Sequence, residues 1–235
     1  MLALAVDTAT PAVTAGLVEL EQAAAGANNP DTARPRTLAV RILVDARAHA
    51  EALTPQILEC ISEAGVARAD IAAVVAGTGP GPFTGLRVGL ATAAAFGDAL
   101  GIPVHGVCSL DALALDCAGE LESDDELLVV TDARRREVYS ARYRERGTRR
   151  IAGPEVTKPA DLDVTGATAV AGSPAHAALF DLRALSPQTP SPAGLVRAAA
   201  PALLSGAVPE PLVPLYLRRP DAVERSYRTL DRMGA

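Results

Sequence analysis

Tryptophan is absent from this 235-residue chain, and aromatic side chains of any kind make up 3% of it. A sizeable core therefore has to be built from alanine, valine and leucine, within a composition that is 49% hydrophobic. Cysteine is scarce. Cys60, Cys108 and Cys117 form no C-x-x-C pair, which argues against a disulfide framework and suits a reducing cytosol. His49, His105 and His176 are never four residues apart, so no helical metal pair of the H-x-x-x-H or H-E-x-x-H kind exists and no bound metal is expected. A G-x-S-x-G elbow is missing. No apolar run approaches the ~20 residues that cross a bilayer. The opening MLALAVDTAT lacks a basic region and is interrupted by Asp7, so it reads as a strand and not as a signal peptide. A cytoplasmic protein without a membrane partner is the expectation. The net charge of −6 does not favour nucleic acid as a partner of the whole surface.

The most informative stretch is Gly77 to Gly101, GTGPGPFTGLRVGLATAAAFGDALG. Its glycines and prolines form a tight loop, and a helix is expected from about Thr84, whose hydroxyl is a candidate N-cap. Gly101 followed by Pro103 is a stop signal. Gly85, Gly89, Ala93 and Gly97 recur every four residues and form a ridge without side chains. Each interior glycine costs about 1 kcal/mol relative to alanine, so close approach by another backbone is expected to offset that cost. Packing on the chain's own sheet and contact with a second chain are both open, and both can hold on different faces.

The remaining chain reads as strands at Leu2 to Asp7, Val13 to Val18 and Thr37 to Val44. A helix spans His49 to Ala64 with Leu53, Ile57, Leu58 and Ile61 on one face, and further strands lie at Ile71 to Ala76 and Val104 to Val107. Glu21 to Arg36 reads as a flexible loop. Ser109 is a candidate cap for a helix through Ala118. After the acidic stretch Glu120 to Glu126 the pattern restarts: LVVTDARRREVYSARYRE repeats the layout of LAVDTATPAVTAGLVE, a strand, an Asp at a turn and a return strand. Tyr139, Ala141 and Tyr143 read as core-facing, with Arg134, Arg136, Arg142, Arg144 and Arg146 on the alternate positions. A strand at Ala167 to Ala171, helices at Pro174 to Leu182 and Leu195 to Leu204, and an extended Leu212 to Leu217 follow. The halves divide as 1–108 with the candidate interface helices, 109–208, and 209–235 as a return segment with a mobile tail.

Chemistry-bearing groups are few. Asp7, with Thr8 and Thr10 in a threonine-rich turn, can hold a nucleotide's phosphates by backbone amides and magnesium by its carboxylate; a turn aspartate bonding its own backbone is the alternative. The loop GTGPGPFTG lacks the G-K-[ST] ending of a phosphate loop. His49 reads as a solvated or capping residue. The arginine face of the 134–146 strand is either a contact for RNA phosphates or a solvated edge. The residues offer no convincing catalytic constellation, which points to a partner-dependent protein.

LALAVDTAT, GTGPGPFTGLRVGLATAAAFG, TDARRREVYSARY and PLYLRRPDA together resemble the bacterial TsaB (YeaZ) proteins, over the chain from the first strand to about Asp221. The resemblance implies an α/β fold of the actin-like, sugar-kinase-like (ASKHA) type: two related subdomains, each with a mixed sheet flanked by helices. It implies no independent catalysis and no tightly bound cofactor. The role implied is pairing with TsaD, and with TsaE, to place threonylcarbamoyl on the adenosine 3′ of the tRNA anticodon (t6A). ATP and magnesium are then expected at the joint, and tRNA contact through the complex. The partner-facing helices would be His49–Ala64 and Gly85–Leu100, with His49, Leu53, Ile57, Gly85, Leu86, Gly89, Leu90, Ala93 and Gly97 as interface residues. The same apolar face is expected to give a homodimer when the partner is absent. Pro82 stands where the family commonly has serine, and Arg136 where glycine is common. Rival readings are a nucleotide hydrolase or kinase using Asp7, and a peptidase-like relative of TsaD.

Overall fold

The computed structural model describes residues 1–21 and 34–218; most of the expected loop at Glu21 to Arg36 and the expected mobile tail beyond 218 lie outside the described residues. Two five-stranded sheets carry the fold. The first contains β1 (Leu2–Asp7), β2 (Ala12–Glu21), β3 (Arg34–Val44), β4 (Ile71–Gly77) and β5 (Val104–Val107) in the order β3-β2-β1-β4-β5. The second contains β6 (Leu127–Asp132), β7 (Val138–Arg144), β8 (Arg149–Thr157), β9 (Ala169–Gly172) and β10 (Arg183–Ala184) in the order β10-β9-β6-β7-β8. Within each sheet the first three strands of the chain pair antiparallel, and the last two join in parallel. The second sheet thus repeats the first strand for strand, and the weak echo between the two hairpin sequences is a real duplication of layout. Mixed sheets flanked by helices, built twice, are the actin-like architecture.

The helices are α1 (His49–Ala64), α2 (Phe83–Leu100), α3 (Ser109–Asp116), α4 (Pro174–Ala177) and α5 (Pro192–Ser205). α1 and α2 cover one face of the first sheet: Leu53, Ile57 and Ile61 join Leu90 and Ala93 over Leu4, Val6, Val13 and Val74. α5 covers the other face, with Leu195, Val196 and Ala200 over Ala3, Ala5, Val18 and Val75. β1 is covered on both faces, which is why its sequence is a continuous apolar run without alternation. The division of the chain at 208 does not follow this packing. α5 belongs with the first sheet, because its apolar stripe is what closes that sheet's second face. In the second sheet Leu127, Val129, Tyr139, Ala141 and Tyr143 pack under Leu110, Leu113 and Cys117, so the odd positions of β7 do face the core.

Several elements differ from the sequence reading. α2 starts at Phe83, with Pro82 in the cap position and no side-chain cap; Thr84 is exposed within the first turn. Ser109 likewise lies inside α3 and caps nothing. β8 is hidden in RRIAGPEVT, whose Pro154 and charges suit an edge strand and mask it in sequence. α4 stops at Ala177, and Phe180 and Leu182 turn into the apolar cluster beside Val130 and Val170. Leu212 to Leu217 is extended but joins no sheet; the Leu215 amide donates to the Thr78 carbonyl at 2.8 Å. Arg134, Arg135 and Arg136 have φ of 62°, 52° and 61°. That is the left-handed region, and it accounts for glycine being common at position 136 in the family resembled.

The glycine ridge of α2 is filled by the chain itself. A Cβ on Gly85 would stand 2.5 Å from the Thr8 carbonyl oxygen, one on Gly89 2.2 Å from Thr8 Oγ1, and one on Gly97 2.1 Å from Val104 Cγ2. The bare ridge therefore lets the β1–β2 turn and β5 lie against the helix backbone. Gly89→Ala is expected to lose about 2 kcal/mol through overpacking. Gly101→Ala, where φ is +66° and no atom lies within 4 Å, is expected to lose about 1 kcal/mol from backbone strain alone. Urea denaturation compares the two, and a Gly89→Ala loss no larger than that of Gly101→Ala would contradict this packing.

Candidate functional site

The carboxyl ends of β1 and β4 meet the N-termini of α1 and α2, and the residues singled out in the sequence converge here. Their side chains are committed to one another. Asp7 is 1% exposed. Its Oδ1 accepts the Ala9 amide at 2.9 Å, and its Oδ2 accepts the Ser109 hydroxyl. Ser109 Oγ in turn accepts the Gly79 amide at 3.2 Å. Gly77 makes this possible, since a Cβ there would stand 1.7 Å from Asp7 Oδ2. Thr8 Oγ1 donates to the Gly85 carbonyl at 2.7 Å, and Thr10 Oγ1 accepts the Ala12 amide at 3.2 Å. The turn aspartate bonding its own backbone is therefore the arrangement present, and the carboxylate has no free face for a magnesium ion. Among the described residues no group of three or more His, Cys, Asp or Glu side chains is placed to hold a metal.

His49 is neither solvated nor on an outer surface. It is 8% exposed, with Nε2 3.0 Å from the Thr10 carbonyl oxygen and Nδ1 3.1 Å from that of Ala46. It ties the start of α1 to the β1–β2 turn. The proposed interface side chains are inside as well. Leu53, Ile57, Leu86, Leu90 and Ala93 are between 0% and 7% exposed, and Gly85, Gly89 and Gly97 are buried. A second chain would therefore meet the other side of α2. Two residues of offset turn a helix by about 200°, so the row Arg87, Ala91, Ala95, Ala99 lies opposite the glycine ridge. All four are exposed, as are Ala94 and Asp98. Leu58 of α1 is 41% exposed nearby on the same layer. This second row, also spaced by four, is legible in TGLRVGLATAAAFGDALG beside the more conspicuous glycines.

Sequence reasoning missed one further feature, and a second bears on the arginine strand. Tyr216 packs on Phe83 at a centroid distance of 4.6 Å, and its hydroxyl accepts from Arg87 Nε at 3.0 Å, so the return segment is pinned to the first turns of α2. On the arginine strand, Arg142 Nε and Arg144 Nε donate to Glu126 at 2.6 and 2.9 Å. Burial raises the Glu126 carboxyl, but these two guanidinium groups outweigh it and hold the group below its usual range. Arg142 and Arg144 are thus engaged with the acidic stretch that balances them.

Comparison with known proteins adds the family. The family model described as "TsaD: tRNA N6-adenosine threonylcarbamoyltransferase" matches residues 43–207. The chain is 56% identical over 221 residues to an uncharacterized protein of Mycobacterium leprae, covering 94% of this chain and 56% of that protein. It is 55% identical to an uncharacterized protein of Mycobacterium tuberculosis, covering 93% of this chain and 92% of that protein. The Escherichia coli "tRNA threonylcarbamoyladenosine biosynthesis protein TsaB" is 33% identical over 97 residues, 41% of this chain and 42% of that protein. The solved YeaZ of Pseudomonas aeruginosa superposes with a TM-score of 0.70 at 26% identity, over 92% of this chain and 99% of that one. The fold and these matches define a TsaD-type protein of the actin-like class. Within that class, the chain belongs to the TsaB (YeaZ) family.

Burial pushes the Asp7 carboxyl from its ordinary 3.8 up to about 6, against the hydrogen bonds from Ser109 and Ala9 and the neighbouring His49. The folded state then binds a proton that the unfolded chain has released between these two values. Stability is expected to fall by roughly 3 kcal/mol as pH rises from about 4 through about 6. Asp7→Asn is expected to flatten that part of the profile of urea midpoints against pH; a slope that survives the substitution would show that other groups carry it.

Proposed function

We propose that this chain is a non-catalytic partner subunit for a TsaD-type transferase in forming threonylcarbamoyladenosine in tRNA. TsaE would be a further component, and tRNA would be engaged through the assembly. One observation carries the proposal: the groups able to do chemistry, Asp7 and His49, are bound inside the chain. The long helix α2, by contrast, offers an outer row of Ala91, Ala95 and Ala99 with no covering element among the described residues. A row of small side chains allows a partner helix to come close along its length. TsaB homologues of Escherichia coli and Haemophilus influenzae bear names that place them in this modification. A nucleotide hydrolase built on Asp7 is disfavoured, because its carboxylate would have to leave Ser109 and Ala9 to reach a metal. The same outer row would serve a homodimer when no transferase is present.

Ala95→Arg places a long charged side chain on the outer row without touching the glycine ridge. It is expected to leave the denaturation midpoint within about 0.5 kcal/mol and to weaken binding to the cognate TsaD by about a hundredfold or more. Calorimetric titration of the purified pair measures this, with restoration of the tRNA modification in cells lacking the native gene as a second readout. Unchanged affinity would overturn the placement of the interface, and normal modification by a chain that binds no TsaD would overturn the function.

A further inference from the structure

The arginines at the end of the β6–β7 hairpin serve none of the contacts described so far. The two strands are joined by a turn in which the Glu137 amide donates to the Arg134 carbonyl at 2.9 Å. Its central residues, Arg135 and Arg136, have φ of 52° and 61°. Positive φ at both central positions is the pattern of a type I′ hairpin turn, which Asn-Gly or Gly-Gly makes without strain. Arg134, at the first position of the turn, has φ of 62° as well. Three successive long side chains are thus held where each Cβ crowds the backbone. Strain of this kind clusters at functional sites, where the surrounding structure holds it in place. All three residues are exposed, so packing does not call for their side chains. The Arg134 side chain is 59% exposed and stands 3.7 Å from Asp132. The flanking acids already have partners: Asp132 has Arg134 and His176, and Glu137 accepts from Arg218. Arg47, exposed in the loop before α1, lines the same cavity as Arg134. Around this end of the hairpin Arg47, Arg134, Arg135, Arg136 and Arg218 outnumber Asp45, Asp132 and Glu137.

We propose that this turn is a direct contact for the phosphate backbone of RNA. The inference rests on the role in tRNA modification proposed above, and it assigns to this chain a surface of its own for the RNA. Side chains of successive residues at the end of a hairpin diverge. They do not converge on one carboxylate or one free phosphate, but they suit a row of phosphates along a strand. The planar guanidinium fork matches a phosphate in two hydrogen bonds. The chain as a whole carries a charge of −6, so the rest of its surface repels RNA and the contact is confined to this end. Arg142 and Arg144, farther along β7, are excluded because Glu126 holds them. None of the residues around the turn belongs to the outer row of α2, so an RNA contact here and a protein contact there can hold together.

The test uses the full chain, alone and in complex with its cognate TsaD. Three quantities are measured: the urea midpoint, the affinity for TsaD without RNA, and the affinity for an unmodified tRNA transcript across a salt series. Arg136→Gly relieves the backbone and removes the charge. It is expected to raise the urea midpoint and to leave the affinity for TsaD unchanged. It is expected to weaken tRNA binding by about threefold to tenfold, with a slope of log affinity against log salt shallower by about 0.7 to 0.9. Arg136→Lys keeps the charge and the strain and is expected to retain most of the binding. Arg136→Gln keeps the strain alone and is expected to lose as much as Arg136→Gly. An unchanged tRNA affinity and slope in Arg136→Gly would overturn the contact. So would a loss of TsaD affinity without RNA, which would make an acidic protein surface the occupant. A lowered urea midpoint would overturn it too, since the arginine would then be a support of the turn. If the wild-type chain forms no complex with TsaD, the proposed function fails, and tRNA titration of the chain alone still decides this contact with the same variants.

Discussion

The closest constraint in this molecule is the approach of the β1–β2 turn to the backbone of α2. Thr8 lies directly over Gly85 and Gly89, and its hydroxyl bonds the Gly85 carbonyl at 2.7 Å. Any side chain on that side of the helix would displace the turn. The turn in turn holds Asp7, the Thr10 carbonyl and, through it, His49. One bare ridge thus fixes the position of α2 and the start of α1.

The two halves share a strand order and differ in what fills the ends of their strands. In the first, Ser109 from α3 and Gly79 from the loop before α2 complete a network around Asp7 that leaves the carboxyl raised by burial to about 6. In the second, the one-turn α4 brings His176 to 3.7 Å from Asp132, whose side chain keeps 23% exposure. A duplicated scaffold has become asymmetric through the lengths of its connecting helices, and the long helix of the pair supplies the surface on which the proposed partnership rests.

Much of this was legible in the sequence, for identifiable reasons. β1 and β4 are apolar runs covered on both faces, β7 alternates, and α2 carries a clear ridge and a glycine stop. Each signal comes from burial on a known period. The elements that escaped had no such period. β8 sits at an edge with Pro154 and several charges, and α4 is a single turn whose apolar sequel leaves the helix. The site was half legible: the residues around Thr8 and Gly85 were identified, but a ridge of glycines cannot say from sequence which backbone fills it. Thr84 and Ser109 were good caps by type, yet the chain starts both helices elsewhere and uses the Ser109 hydroxyl to hold Asp7. Long-range commitments of that kind, 102 residues apart in the chain, leave no local pattern.

The account is tested most directly by the accessibility of one engineered thiol on the outer row of α2. The native thiols form a quiet background: burial holds Cys60 and Cys108 at about 11 and Cys117 at about 12. In an Ala95→Cys chain, kept dilute enough to be monomeric, the alkylation rate at residue 95 should be fast alone and strongly suppressed by the cognate TsaD. A rate at residue 95 that stays the same in the presence of saturating TsaD would contradict the claim that this chain acts through the outward side of its glycine-ridged helix.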